Sequence, residues 1–207
     1  MSERHASLKD YLTLSDAGFF EQSVKRSVFR AQAKSVDTAA VALEFFGQSV
    51  ELTANHHCWA YRIGSEYRFN DDGEPSGSAG RPILAAIDGA KLDHVAVVVS
   101  RVFGGVKLGV GGLVRAYGGS AAQCLAIAPT RLVVPTIQTQ LEVGFEDLGR
   151  IYSVFERLGV DKQSQSYGET GVILGIVYAH TQHIQLERAL ADATQGRTLL
   201  NRLESTN

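Results

Sequence analysis

The run HVAVVVSRVF, from 94 to 103, lacks the two-residue alternation of a half-buried strand: its valines are nearly unbroken. Such a run suits a strand buried on both faces, so it is expected to be the central strand of its sheet. The segments around it supply neighbours. After a polar leader, SVFRAQAKSV (27 to 36) reads as a strand. Asp37 stands where a helix N-cap is expected ahead of the apolar-periodic TAAVALEFFG, with Gly47 as a stop. CWAYRI (58 to 63) and EYRF (66 to 69), joined across Gly64-Ser65, read as a hairpin whose alternating aromatics face one core. A short helix is expected from Arg81 to Ile87. A longer one runs from Leu113 to Ala128, with Leu113, Tyr117, Ala121 and Leu125 in an i,i+4 row and Pro129 ending it.

Around Val133-Val134-Pro135 the register restarts. The C-terminal remainder reads as strand (139 to 145), helix (147 to 159), strand (160 to 167), strand (172 to 180), helix (183 to 195) and strand (197 to 203). That order is βαββαβ, the ferredoxin-like plan. Asp147 as a cap, Gly159 past the helix end and a turn from Gly168 to Gly171 agree with it. The expectation is an α+β chain of two domains, 1 to 132 and 133 to 207.

Composition sets the limits on function. With 44% hydrophobic residues in 207, the chain can bury a sizeable core without disulfides or metals. Twenty basic and 22 acidic residues give a net charge of -2, which excludes a bulk polyanion binder and argues against DNA or an acidic membrane as partner. The first 132 residues hold 14 basic and 13 acidic residues and the remainder 6 and 9, so neither half is a basic module. Cys58 and Cys124 form no CxxC pair and are expected to be reduced core thiols. The leader MSERHASLKDYLTLSD has no apolar signal region, and a soluble cytoplasmic protein is expected.

Glycine is in excess, and eleven of the 21 glycines lie between Gly73 and Gly119. They mark two loops, each ahead of a helix. The first, from Asn70 to Gly80, sets Asp71, Asp72 and Glu74 before Ser76 and Ser78. These carboxylates could ligate a hard cation such as Mg²⁺ or supply a general base, although the calcium-loop spacing is absent. They could equally bond the backbone of a tight turn, with Ser76 or Ser78 capping the helix, or form a binding surface. The second loop, from Gly104 to Gly112, lies between a buried strand and a helix, with Arg101, Lys107 and Arg115 around it. A strand, glycine turn and helix N-terminus suit an anion, and Gly109, Gly111 and Gly112 would offer backbone amides to a phosphate. The loop matches neither the P-loop nor the dinucleotide fingerprint. The same glycines could serve only close packing, and the acidic and basic sets could pair with each other in one partly buried network. Gly118-Gly119 inside the second helix costs about 2 kcal/mol that another backbone lying on that face, such as a glycine loop, would offset.

Other candidates carry less. His56, His57 and Cys58 cannot converge on one ion, because adjacent strand residues point to opposite faces. His180 and His183 flank a strand-to-helix junction with no carboxylate or thiol nearby and are expected at the surface. Trp59, Tyr61 and Phe69 are expected in the core rather than stacking bases. No G-x-S-x-G elbow occurs.

The stretch from Cys58 to Leu125 resembles the IMPACT family in its bacterial YigZ-type branch, on CWAYRIG (58 to 64), DDGEPSGSAGRP (71 to 82) and VFGGVKLGVGGLVRAYGG (102 to 119), with KRSVF (25 to 29) as a weaker match. The resemblance implies a first domain like the second domain of small-subunit ribosomal protein five. It implies a ferredoxin-like second domain like the last domain of elongation factor G. It also implies a link to control of translation, with no established enzymatic activity or cofactor. No extra N-terminal protein-binding domain of the kind eukaryotic members carry is expected in this sequence, which puts in doubt any carry-over of their kinase-pathway role.

The leading expectation is a cytoplasmic regulator that binds RNA, the ribosome or a translation factor through a local patch such as Arg81, Arg101, Lys107 and Arg115. VILGIVYAH lacks the aromatic signature of RNA-recognition modules, so base stacking on that strand is not expected. A rival is an enzyme acting on a phosphorylated small molecule, with Asp72 or Glu74 as base or metal ligand and Lys107 with the Gly109 to Gly112 backbone holding phosphate. A third is a protein-interaction module without catalysis.

Overall fold

The computed structural model describes residues 9 to 200. They form a mixed α and β architecture in two compact units, one spanning Tyr11–Val133 and the other built chiefly from the chain beyond Val134.

In the first unit, β1 (Tyr11–Leu14), β2 (Gly18–Val24) and β3 (Ser27–Ser35) lead into α1 (Ala39–Gln48). Then come β4 (His56–Ile63), β5 (Glu66–Asn70), α2 (Gly80–Gly89), β6 (Val95–Val102), α3 (Val110–Ile127) and β7 (Thr130–Val133). The main sheet has the order β2-β3-β6-β4-β5, every neighbour antiparallel, and β6 is its central strand as the valine run requires. Val95, Val97 and Val99 join the core with Ile83, Leu113, Tyr117 and Leu125 under α2 and α3. Ala96 and Val98 face the other way and pack with Ala42 and Phe46 of α1. The expected row Leu113, Tyr117, Ala121, Leu125 is buried throughout.

Several local expectations are corrected. The leader is not merely polar, since it holds β1, which pairs with β7 far along the chain, and the edge strand β2. Thr38 rather than Asp37 caps α1, its hydroxyl accepting from the Val41 amide, and the helix passes Gly47 to end at Gln48. Trp59 and Tyr61 face the α1 side, where Trp59 stacks on Phe46. Phe69 pairs with Ala60, lies on the opposite face and is 41% exposed, so it is not core. Gly118 packs on Pro82 of α2 rather than on a glycine loop, and a Cβ on Gly119 would find only the Gln22 amide, at 3.8 Å.

The second unit runs β8 (Thr136–Gly144), α4 (Leu148–Leu158), β9 (Asp161–Tyr167), β10 (Gly171–Ala179) and α5 (His183–Thr194). Its sheet order is β8-β10-β9, all antiparallel. Alternate residues Val172, Leu174, Ile176 and Tyr178 of β10 enter a core with Ile151, Phe155, Leu186 and Leu190. Gly159 takes a left-handed φ of 66° at the end of α4, where an L side chain would be strained. Asp147 holds the N-cap position of α4 but makes no side-chain cap bond there. Its buried carboxylate is gripped by Arg197 at 2.7 and 2.8 Å and reached by Arg150 at 3.0 Å, hydrogen bonds that hold it below the usual carboxylate range. Of the expected last strand, residues 197 to 200 are irregular and 201 to 203 lie outside the described residues.

Candidate functional site

The first glycine-rich loop closes on β6 and α3 in a packed polar cluster. The first loop is wound about Asp71. Its carboxylate accepts from the amides of Gly77, Ala79 and Gly80 at 2.8 to 3.0 Å, so it organises the turn and supplies acceptors at the start of α2. Neither serine caps that helix: Ser76 is exposed, and the buried Ser78 hydroxyl donates to the Pro75 carbonyl. Gly80 has to be glycine, since a Cβ there would lie 2.6 Å from the Asn70 carbonyl oxygen. Asp72 sits at a φ of 41° and accepts from the His57 amide at 2.6 Å, while its carbonyl bonds His56 Nδ1 at 2.7 Å.

Glu74 turns inward. Its Oε1 accepts from Arg101 at 2.6 Å and from the Tyr117 hydroxyl at 2.7 Å, and the glutamate and arginine side chains are only 4% and 6% exposed. The Arg101 guanidinium also lies over the rings of Phe29 and Phe103, at 5.5 and 5.4 Å. The Cys58 thiol beside this cluster donates to the Asp71 carbonyl at 3.0 Å, and burial pushes it up to about 12. Burial also raises the Tyr117 phenol, and the neighbouring Cys58 and Glu74 add to it. A thiol and a phenol held protonated, with a carboxylate already committed to an arginine, make a structural knot and not a nucleophile with its base.

The expected charge network is therefore formed by one pair only. Glu74 meets Arg101, whereas Asp71 and Asp72 bond backbone and Lys107, Arg115 and Arg81 are exposed. Arg101 is withdrawn from any surface patch by its burial, so the four-residue patch drawn from the sequence does not assemble. Among the described residues no group of three His, Cys, Asp or Glu is placed to hold a metal ion. His57 Nε2 bonds the Glu51 backbone. His180 does meet a carboxylate, Asp10 at 2.7 Å, and His183 Nδ1 bonds the Tyr178 hydroxyl at 2.8 Å.

An open groove, to which Leu108 and Gly112 contribute, lies beside the second loop. The turn between β2 and β3 is Lys25-Arg26, both at positive φ, 46° and 70°. Gly104 is pressed against that turn so closely that a Cβ would lie 2.0 Å from the Arg26 carbonyl carbon. The groove, of about 430 Å³, runs between β2 and α3. Lys25 and Arg115 flank it, Gln22 and Gln123 add amides, and Ala116, Gly119 and Ala122 lie along the α3 side. None of its lining residues is acidic. Of the residues singled out from the sequence, Arg115 and Gly112 line this groove, while Lys107, Gly109 and Gly111 do not. Lys25, Gln22 and Gln123 were missed as site residues. Two adjacent positive-φ residues without glycine leave no local mark, though KRSVF did stand within a family motif.

The Impact N-terminal domain model matches residues 25–125, a span that holds both loops and most of the groove. An IMPACT family member from Thermus thermophilus is 41% identical over 175 residues, covering 84% of this chain and 97% of that protein. One from Haemophilus influenzae is 32% identical over 205 residues, covering 95% and 98%. The family member YigZ of Escherichia coli is 30% identical over 191 residues, covering 88% and 93%. A crystal structure of a hypothetical protein superposes with a TM-score of 0.70 at 28% identity, over 96% of this chain and 99% of that one. Both units are thus matched in sequence and in fold, and the chain belongs to the IMPACT family, in its bacterial YigZ-type branch.

Proposed function

We propose that this protein is a non-enzymatic regulator of translation that binds RNA on the ribosome through the groove between β2 and α3. The observation that carries the reading is the charge of that groove: Lys25 and Arg115 line it, and no carboxylate does. Anionic backbone is the chemistry such a surface accepts in a chain whose net charge of -2 otherwise repels it. The folds are in keeping. We read the first unit as similar to the second domain of small-subunit ribosomal protein five. The second unit, whose sheet order β8-β10-β9 follows the 1-3-2 core of the ferredoxin-like plan, we read as similar to the last domain of elongation factor G. Both are folds of translation machinery, an analogy of fold and not of site. The rival reading, an enzyme using Asp72 or Glu74, is the weaker, because Glu74 is locked on Arg101 and Asp72 holds the His57 amide.

Cosedimentation with purified ribosomes across a salt series tests the proposal. Association at low salt is expected, fading as salt rises, and the K25E/R115E double variant should lose it at every salt concentration. No association of the unaltered protein even at low salt would sink it.

A further inference from the structure

The main sheet of the first unit ends in β2 on one side and β5 on the other, and the two edges differ in what they offer a partner. β5 returns from β4 through the tight turn Gly64-Ser65, with Gly64 at a φ of 57° and Ile63 opposite Glu66. In such a hairpin the closing pair exchanges its hydrogen bonds, and alternate pairs beyond it do the same. Glu66, Arg68 and Asn70 therefore turn their peptide groups toward β4, while Tyr67 and Phe69 turn theirs to the free edge. Those outward groups take part in no hydrogen bond among the described residues. Every residue of the strand is exposed, and the rings of Tyr67 and Phe69 stand in solvent at 52% and 41%. An unpaired edge of this kind is a template for another strand.

We infer that the edge receives β5 of a second copy of this chain, antiparallel about a two-fold axis at Tyr67. A two-fold contact has to complement itself, since each residue meets the same surface it helps to form. The sequence EYRFN does so in this register. Glu66 falls opposite the partner's Arg68, and Arg68 opposite the partner's Glu66. Both are non-hydrogen-bonded positions, where facing side chains come closest. On the other face Tyr67 meets the partner's Tyr67, and Phe69 lies diagonal to that ring and opposite the small partner's Ser65. Moving the axis to Arg68 would instead set the two arginines against each other.

The side chains concerned are free for this pairing. Arg68 is exposed and makes no ion pair among the described residues. Glu66 uses only Oε1, which accepts from the Tyr61 hydroxyl at 2.7 Å. Arg62, bonded to Asp88 of α2, lies over the Tyr67 ring at 5.2 Å and steadies it at the edge. The opposite edge has no such match. β2, GFFEQSV, carries one acid and no cation, and its Glu21 is already bonded to Arg30 at 2.6 Å. Pairing through β5 joins two sheets into one and leaves β2, with the groove beside it, at the far edge of each copy.

Sedimentation equilibrium of the full chain over a wide range of concentration up to millimolar, at low salt where surface ion pairs are least screened, tests this inference. A reversible equilibrium between monomer and dimer is expected. Arg68→Glu replaces both ion pairs across the axis by like-charge pairs and should weaken the dimer about tenfold or more. Glu66→Arg combined with Arg68→Glu exchanges the signs at both positions, and the folded double variant should dimerise as the unaltered chain does. Tyr67→Pro removes only an outward N–H, so the hairpin should stay and the dimer be lost. Circular dichroism checks that each variant folds. A chain that is monomeric at every concentration, its edge then left to an extended segment of some other protein, would overturn the inference. So would a dimer indifferent to Tyr67→Pro and Arg68→Glu, or one weakened by Arg68→Glu that the folded double variant does not restore.

Discussion

Glu74 and Arg101 are each other's main compensation for burial. Removing one member of a buried pair leaves an uncompensated charge, at about 3 to 5 kcal/mol. Glu74→Ala should therefore lower the urea midpoint of the first unit sharply, because the guanidinium is 6% exposed and its Nε already has no partner. Replacing both, Glu74→Leu with Arg101→Met, should recover much of that loss, since apolar side chains of similar size need no partner. A double variant no more stable than Glu74→Ala would contradict this account. The nearby thiols set an alkaline limit. Burial raises both Cys58 and Cys124 from about 9 to about 12, so the folded chain holds protons that the unfolded chain has already released. Their contribution is complete below pH 9 and is lost as pH rises toward 12, with the buried Tyr117 phenol adding in the same sense. Urea midpoints measured from pH 8 upward should fall across that window, and Ellman's reagent at pH 8 should find neither thiol until denaturant is added.

At the scale of elements, the glycines sort by what lies over them. Gly104→Ala would drive a methyl to within 2.0 Å of the Arg26 backbone, so the β2–β3 turn must move or the second loop must lift. Gly119 sits in the middle of α3 with 3.8 Å to its nearest foreign atom, and alanine there should stabilise by about 0.5 to 1 kcal/mol through helix propensity alone. Opposite shifts in melting temperature are expected for the two variants; equal shifts would mean that the close approach at Gly104 does not constrain the fold. The same dependence on distant neighbours limits what a sequence can declare. The valine run and the Leu113 row are legible because their burial follows the period of their own element. β1 was not legible because its partner β7 begins 116 residues beyond its last residue, Leu14. β2 is an edge strand whose burial alternates, but its sequence GFFEQSV does not follow that alternation, since Phe19 points outward and Gln22 inward. The start of α2 is served by Asp71, eight and nine residues upstream of the amides it accepts from, whereas N-cap rules look only one to three residues away. For the same reason the sequence names both glycine loops but not the direction each takes. Arg101 and Arg115 look alike on paper, and only the fold buries one and leaves the other on the groove.

For the whole molecule, the distribution of charge bounds how RNA binding must behave. The net charge is -2, and Glu74 already neutralises Arg101. The cations near the groove are thus few: Lys25 and Arg115 line it, while Arg26 and Lys107 adjoin lining residues. Each phosphate neutralised on a single strand contributes about -0.7 to the slope of log affinity against log salt. Four such contacts set a ceiling near about -3, and two alone give about -1.4. The slope for decauridine should fall between these values, shallower than that of a basic RNA-binding module. Arg115→Gln should flatten it by about 0.7, the release of one fewer counterion. Arg81→Gln, in the first turn of α2 and away from the groove lining, should leave it unchanged. A slope beyond about -5, or one that responds to Arg81 and not to Arg115, would place the contact on another face of the protein.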